Sequence, residues 1–150
     1  MRLPENLPSC GSLSRQEILQ LLLKEEYGFL PPAPKALEVE ETGYNKRFCA
    51  GKAPLRELKF TARCDFGDFS FPARYFCPKS EEKVPCVVLI NFRPNVPDMY
   101  LPAEEIADQG YAVLSVCYKD VSSDDGDFTN GLAGLVYPDG KCQPDQCGKI

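Results

Sequence analysis

The sequence predicts an α/β fold: a helix, an antiparallel hairpin, then the start of a parallel sheet. Three observations carry this. Two segments between Leu58 and Cys77 alternate apolar and polar residues, Val84–Phe92 and Tyr111–Tyr118 are nearly continuous apolar runs, and a short helical pattern separates those runs. Alternation marks strands with one wet face, whereas unbroken apolar runs mark strands covered on both faces in a parallel sheet.

The first element is a helix over about 15–26. Ser14-Arg15-Gln16-Glu17 fits the capping box S-x-x-E, in which the Ser and Glu side chains satisfy each other's free backbone donors. Ile18, Leu19, Leu22 and Leu23 recur at helical spacing, Gly28 stands where a C-terminal cap belongs, and the prolines of Pro31 to Pro34 forbid continuation. Segments near Ala36–Thr42 and Arg47–Cys49 are expected to add strands. The hairpin follows. Leu58, Phe60, Ala62, Cys64 and Phe66 alternate with Lys59, Thr61, Arg63 and Asp65, and the pattern resumes with Phe69, Phe71, Ala73, Tyr75 and Cys77. A two-residue Gly67-Asp68 turn would set Phe66 opposite Phe69 and place both apolar sets on one face.

Between the two apolar runs, Pro102 stands near the first helical position, Glu104 and Glu105 lie in the first turn, and Gly110 is a stop. Strand, helix and strand then form a right-handed crossover. From Asp120 onward no strand or long helix is evident, and such a tail is uncommon in a finished compact domain. One crossover helix also covers only one face of the two apolar strands, so the fold reads as unfinished.

Composition narrows the function classes. At 150 residues, 43% apolar and 26% charged, the chain is the size and composition of one packed domain. A net charge of −5 without a Lys/Arg block gives no footprint for nucleic acid or an anionic membrane, so neither is an expected partner. The first seventeen residues hold no uninterrupted apolar stretch of the kind a secretory signal needs, and the expected location is cytoplasmic. The eight cysteines, at 10, 49, 64, 77, 86, 117, 142 and 147, are then expected as small buried thiols rather than disulfides. With no histidine, no C-x-x-C, and only Cys142-x4-Cys147 as a close pair, no metal and no cofactor are expected.

The helix with its Y-G-x-x-P-P-x-P ending (Arg15, Glu17, Ile18, Tyr27, Gly28, Pro31, Pro32, Pro34), the hairpin, the run "VVLINF" and the stretch "GYAVLSVCYKDVSSDDGDFTNGLAGL" together resemble the N-terminal part of bacterial α/β-hydrolases of the acetyl xylan esterase and glucuronoyl esterase type. The resemblance runs from about Leu3 to Ile150. It implies the N-terminal portion of an α/β-hydrolase fold: residues 1–35 as a helix and proline-rich linker, and 36–150 as an incomplete hydrolase domain holding the first four core strands without the nucleophile elbow. The family's catalytic groups are an elbow serine, an acid and a histidine. With no G-x-S-x-G and no histidine in these residues, no catalytic residue is assigned to this chain.

The resemblance further implies a role for the loop after the third core strand, which in such enzymes often gives one backbone N–H to the oxyanion hole. Pro94 cannot donate, so the candidates are the backbone groups of Phe92, Arg93 and Asn95; some relatives use a side chain beside the nucleophile instead, and a proline-stiffened turn is the structural alternative. Asp124, Asp125 and Asp127 do not match the calcium-loop spacing and read as a solvated loop at the carboxyl end of the sheet. Asp124, Asp125, Tyr100 and Phe128 are the candidates for a substrate-side surface, the two aromatics as sugar-stacking platforms. Two functions follow. One is the N-terminal fragment of a serine carboxylesterase acting on acylated carbohydrate or a small ester; the other is a non-catalytic module that binds a partner chain, or self-associates, through its exposed sheet.

Overall fold

A computed structural model describes residues 11, 13–142, 145 and 146; Leu3, Cys10, Cys147 and Ile150, and with Cys147 the Cys142-x4-Cys147 pattern, lie outside them. Helix α1 spans Arg15–Leu22 and passes into a wider π-type turn, Leu23–Tyr27, that ends at Gly28. The capping box forms as read: Glu17 Oε2 accepts the Ser14 N–H at 2.8 Å, and Ser14 Oγ accepts the Glu17 N–H at 3.4 Å. The Ser14 hydroxyl, which donates to Glu17 Oε2 at 2.7 Å, and then the Ser14 N–H hold the Glu17 carboxyl below its ordinary range. Gly28 has φ 73° and ψ 170°, a conformation essentially open to glycine alone, which turns the chain sharply into the proline segment.

Five strands form one sheet in the order β1-β2-β3-β5-β4. They are β1 Ala36–Asn45, β2 Leu55–Cys64, β3 Gly67–Phe76, β4 Cys86–Asn91 and β5 Ala112–Cys117. β1, β2, β3 and β5 meet antiparallel, and only β4 and β5 pair in parallel. Helix α2, Ala103–Asp108, is the crossover, with Pro102 at its N-cap and Gly110 at φ 81° beyond its end. A third helix, α3, spans Gly131–Val136 in the segment where the sequence showed no long element. Among the described residues no helix is long and apolar enough to cross a membrane.

The structure departs from the sequence reading in three places. Arg47–Cys49 is no strand: Asn45 Oδ1 accepts the Arg47 N–H at 3.0 Å, starting a turn, and Phe48 drops into the core with its ring 5.7 Å from that of Phe76. The hairpin turn is Asp65-Phe66, closed by Cys64 opposite Gly67, so Phe66 sits in the turn instead of facing Phe69. This register sets Arg63 opposite Asp68, where they form an ion pair, and Glu38 on β1 holds the same guanidinium from the other side at 2.7 Å. The turn moves by two residues and each residue's partner by four, an even shift that preserves side-chain parity, so the apolar sets still share a face and Phe60 stacks on Phe71 at 5.4 Å. The third departure is β4, which is an edge strand and not covered on both faces.

The core lies on one side of the sheet. Phe48, Ala53, Leu55, Phe76 and Val113 pack beneath Leu101, Ala103 and Ala107 of the α2 region. Lys52 ties this layer's rim, its Nζ donating to Asp108 Oδ1 at 2.9 Å and Glu104 Oε1 at 3.2 Å. The opposite face, carrying Leu37, Phe60, Phe71, Val88, Ile90 and Leu114, stays open as an apolar cleft of about 480 Å³. Leu132 of α3 and the proline segment only border it.

Among the described residues Cys49, Cys64, Cys77, Cys86 and Cys117 are free thiols. Among the described cysteines Cys117 alone is buried; Cys49, Cys64, Cys77 and Cys142 are half-buried and Cys86 is exposed at the start of the edge strand β4. The expectation of buried thiols therefore holds at one position. Beside Cys77, the Tyr75 phenol is pushed up to about 12, mainly by its hydrogen bond with that side chain and then by burial.

Candidate functional site

The parallel pair β4/β5 ends with Asn91 opposite Cys117, and the segments leaving those ends lie where open α/β sheets hold ligands. Asn91 closes β4 with its side chain on the packed face, 2% exposed. Its Nδ2 donates to Asp98 Oδ2 at 3.3 Å, while Asp98 Oδ1 accepts the Tyr100 N–H at 2.8 Å and the Asp98 carbonyl accepts the Leu101 N–H at 3.2 Å. The loop between Asn91 and Leu101 is thus pinned at both feet by Asp98. The peptide before Pro97 is cis.

On this pinned loop stand four of the predicted site residues, Phe92, Arg93, Asn95 and Tyr100. Phe92, 68% exposed, lies between Tyr100 and Tyr118, with ring centroids 5.6 Å and 5.9 Å away. The Arg93 guanidinium sits 5.6 Å from the Tyr100 ring centroid, within cation–π range. Asn95 is exposed farther along the loop. Lys119 Nζ lies 5.8 Å from the Tyr118 ring centroid, so the arrangement is an aromatic shelf with two cations at its rim, a surface able to stack on a sugar ring and to hydrogen-bond its hydroxyls.

The second segment is placed differently. Asp125 Oδ1 accepts from Ser123 Oγ at 3.0 Å and from the Asp127 N–H at 2.9 Å, so that carboxylate is engaged in its own turn; Asp124 is exposed. Asp127 accepts the Thr129 N–H at 2.9 Å and the Thr129 hydroxyl at 2.6 Å, and these bonds lower its pKa. Phe128 is half-buried with its ring edge-on to Tyr137 at 5.6 Å, so it packs inward while Tyr100 faces outward. Gly131 seats the following helix: its φ is 56°, and a Cβ there would lie 2.5 Å from the Val121 carbonyl oxygen.

Three buried polar atoms near these strand ends have no hydrogen-bond partner among the described residues: Asn91 Oδ1, Asp120 Oδ2 and Ser122 Oγ. Asp120 Oδ2 is 3.7 Å from Arg74 Nη1, an ion-pair contact too long for a hydrogen bond. Sequence reasoning passed over Asn91, Asp98, Tyr118, Asp120 and Ser122. The available signal was the polar Asn91 ending an apolar run, with an Asp seven residues on.

Chemically the region can position and stack. The chain has no histidine, so it cannot by itself form a Ser-His or Cys-His pair. Among the described residues no group of three or more His, Cys, Asp or Glu is placed to hold a metal ion.

No protein-family model matches the sequence, and no curated protein matches it. Solved structures do. The chain is similar to a glucuronoyl esterase from Solibacter usitatus at 20% identity and a TM-score of 0.68, over 90% of this chain and 42% of that one. A CE15 glucuronoyl esterase from Teredinibacter turnerae T7901 is similar at 20% identity and a TM-score of 0.63, over 88% of this chain and 37% of that one. A promiscuous CE15 esterase from the marine bacterial metagenome is similar at 16% identity and a TM-score of 0.62, over 88% and 42%. The chain therefore spans 37–42% of the length of these structures. At such identities the likeness is one of fold, and the fold of this chain is that of the N-terminal portion of an α/β-hydrolase.

Proposed function

We propose that these residues are the N-terminal portion of a serine carboxylesterase that acts on acylated carbohydrate, with the nucleophile, acid and base supplied beyond Ile150. The observation that carries the reading is the fold match over 88–90% of this chain to esterases of which it spans 37–42%. The substrate class draws on the neighbours described as glucuronoyl esterases and on the Phe92–Tyr100–Tyr118 shelf with Arg93 at its rim. In this reading the chain contributes one wall of the site. The pinned loop offers backbone donors of Phe92, Arg93 or Asn95 to the developing oxyanion, and the aromatic shelf takes the sugar. Acyl transfer to a serine and its hydrolysis require a base, and that base must come from outside this histidine-free segment.

The test has two arms. Reading the source DNA through codon 150 should reveal a frame that continues to a serine-bearing elbow, an acidic residue and a histidine. Residues 1–150 alone should neither hydrolyse 4-nitrophenyl acetate nor react with a serine-directed fluorophosphonate, whereas the extended protein does both. A stop codon at that point, or ester hydrolysis by residues 1–150 that survives purification, overturns the reading.

A further inference from the structure

The buried carboxamide of Asn91 is only half used. Its Nδ2 donates to Asp98 Oδ2 at 3.3 Å, while its Oδ1 is enclosed and meets no hydrogen-bond donor among the described residues. Asn91 is held on the packed face at the end of β4, opposite Cys117, so residues of this chain alone enclose it. A polar group withdrawn from water costs stability unless it is fully paired, and a leucine, with the same branching, would leave nothing to satisfy. An amide is therefore a poor filler for this space. It is a specific means of holding Asp98. The other Asp98 carboxylate oxygen accepts the Tyr100 N–H at 2.8 Å, and the Asp98 carbonyl accepts the Leu101 N–H at 3.2 Å. Within the span so closed, Pro94 and Pro97 have no N–H with which to brace it.

We propose that Asn91 is a positioning residue: through Asp98 it fixes the span that carries the backbone N–H groups of Phe92, Arg93 and Asn95. The proposal rests on the esterase reading, in which those groups face the developing oxyanion, and adds what aims them. Oxyanion donors act by being in place before the reaction, and a displacement of about 1 Å can cost about a hundredfold in rate. Asn91 itself touches neither substrate nor reacting atoms. A side chain kept for this purpose separates two properties that a packing residue links, because its loss lowers turnover without lowering stability.

Two measurements test this, one on residues 1–150 and one on the extended protein. Asn91→Leu removes the donor to Asp98, and so does the smaller Asn91→Ala should leucine not fit. In residues 1–150, Asn91→Leu should leave the urea midpoint unchanged and speed amide hydrogen exchange of Tyr100 and Leu101 by about tenfold, with β2 and β3 unaffected. In the extended protein it should lower kcat for 4-nitrophenyl acetate by about ten- to a hundredfold and change KM by less than about twofold. Asp98→Asn should keep most of the activity, because the Asn91 amide can turn over and its Oδ1 accept an N–H from the new carboxamide. Unchanged exchange or unchanged kcat in the Asn91 variants overturns the proposal. So does a kcat lost as far in Asp98→Asn, which would make the charge of Asp98 the active property, or a loss of activity that merely follows the folded fraction. An extended protein that hydrolyses no ester with Asn91 intact sinks the esterase reading instead, and the positioning role falls with it.

Discussion

Asp98 has more structural consequence than its place in a proline-rich loop suggests. One carboxylate oxygen takes the Tyr100 N–H and the other takes Asn91 Nδ2, so it joins the end of β4 to the far foot of the loop bearing Phe92, Arg93 and Asn95. Asn91 is almost fully buried, and removing its acceptor leaves an amide there with its Nδ2 unmet as well as its Oδ1. A buried polar group left unpaired costs about 1–3 kcal/mol. Asp98→Ala is therefore expected to lower stability by about that amount in urea unfolding. It should also speed amide hydrogen exchange of residues 92–101, while Asp124→Ala, in an exposed loop, does neither. This carboxylate could not be read from the sequence. Its role depends on Asn91 and Asp98 meeting across a closed loop, and spacing along the chain gives no distance between them. Phe92, Arg93 and Tyr100 were legible as a group because they share that loop. Phe128 was not separable from them, since an aromatic residue on a loop looks the same whether its ring faces out or packs, as this one does, on Tyr137.

At the scale of elements, the signals that read well were local ones. The capping box fixed the start of α1, and parity fixed which face of the hairpin is apolar, because both are decided within a few residues. What failed was decided by partners distant in sequence. The turn moved to Asp65-Phe66 because Arg63 gains Asp68 and Glu38 there, and Arg47–Cys49 left the extended state so that Phe48 could fill space beside Phe76. α3 shows the same dependence. Its six residues hold too few turns to be stable alone, and it is fixed by docking: the Leu132 N–H donates to the Val121 carbonyl at 2.8 Å, with Gly131 pressed against that same carbonyl oxygen. Gly131→Ala meets two penalties, a left-handed φ costing about 1–2 kcal/mol and a Cβ that would overlap backbone. The expected outcome is α3 undocked with the sheet intact: lower near-ultraviolet circular dichroism, lost protection of the Leu132 amide in hydrogen exchange, and unchanged protection in β2 and β3.

For the whole molecule, the governing fact is that one sheet carries two apolar faces and packs only one. On the packed face Phe76 is fully buried against Phe48 and the α2 layer, so cutting it back removes transfer free energy and leaves a cavity that a close-packed layer cannot fill. On the open face Leu37 is 56% exposed although its strand neighbour Ala62 and the stacked Phe60 and Phe71 surround it with hydrocarbon. Little water is excluded there, so hydrophobic residues on that side hold the sheet together through pairing and not through burial. The two faces should then respond unequally to mutation. Phe76→Ala is expected to cost about 3–5 kcal/mol, enough to unfold a marginally stable domain. Leu37→Ser should change stability by no more than about 0.5 kcal/mol, as an ordinary surface change does. Urea unfolding of the two variants beside the parent chain checks this. Comparable losses from both substitutions would mean that the open face is covered in solution; a large loss from Phe76→Ala alone would mean that the stability of this fold rests on the α2 side of the sheet.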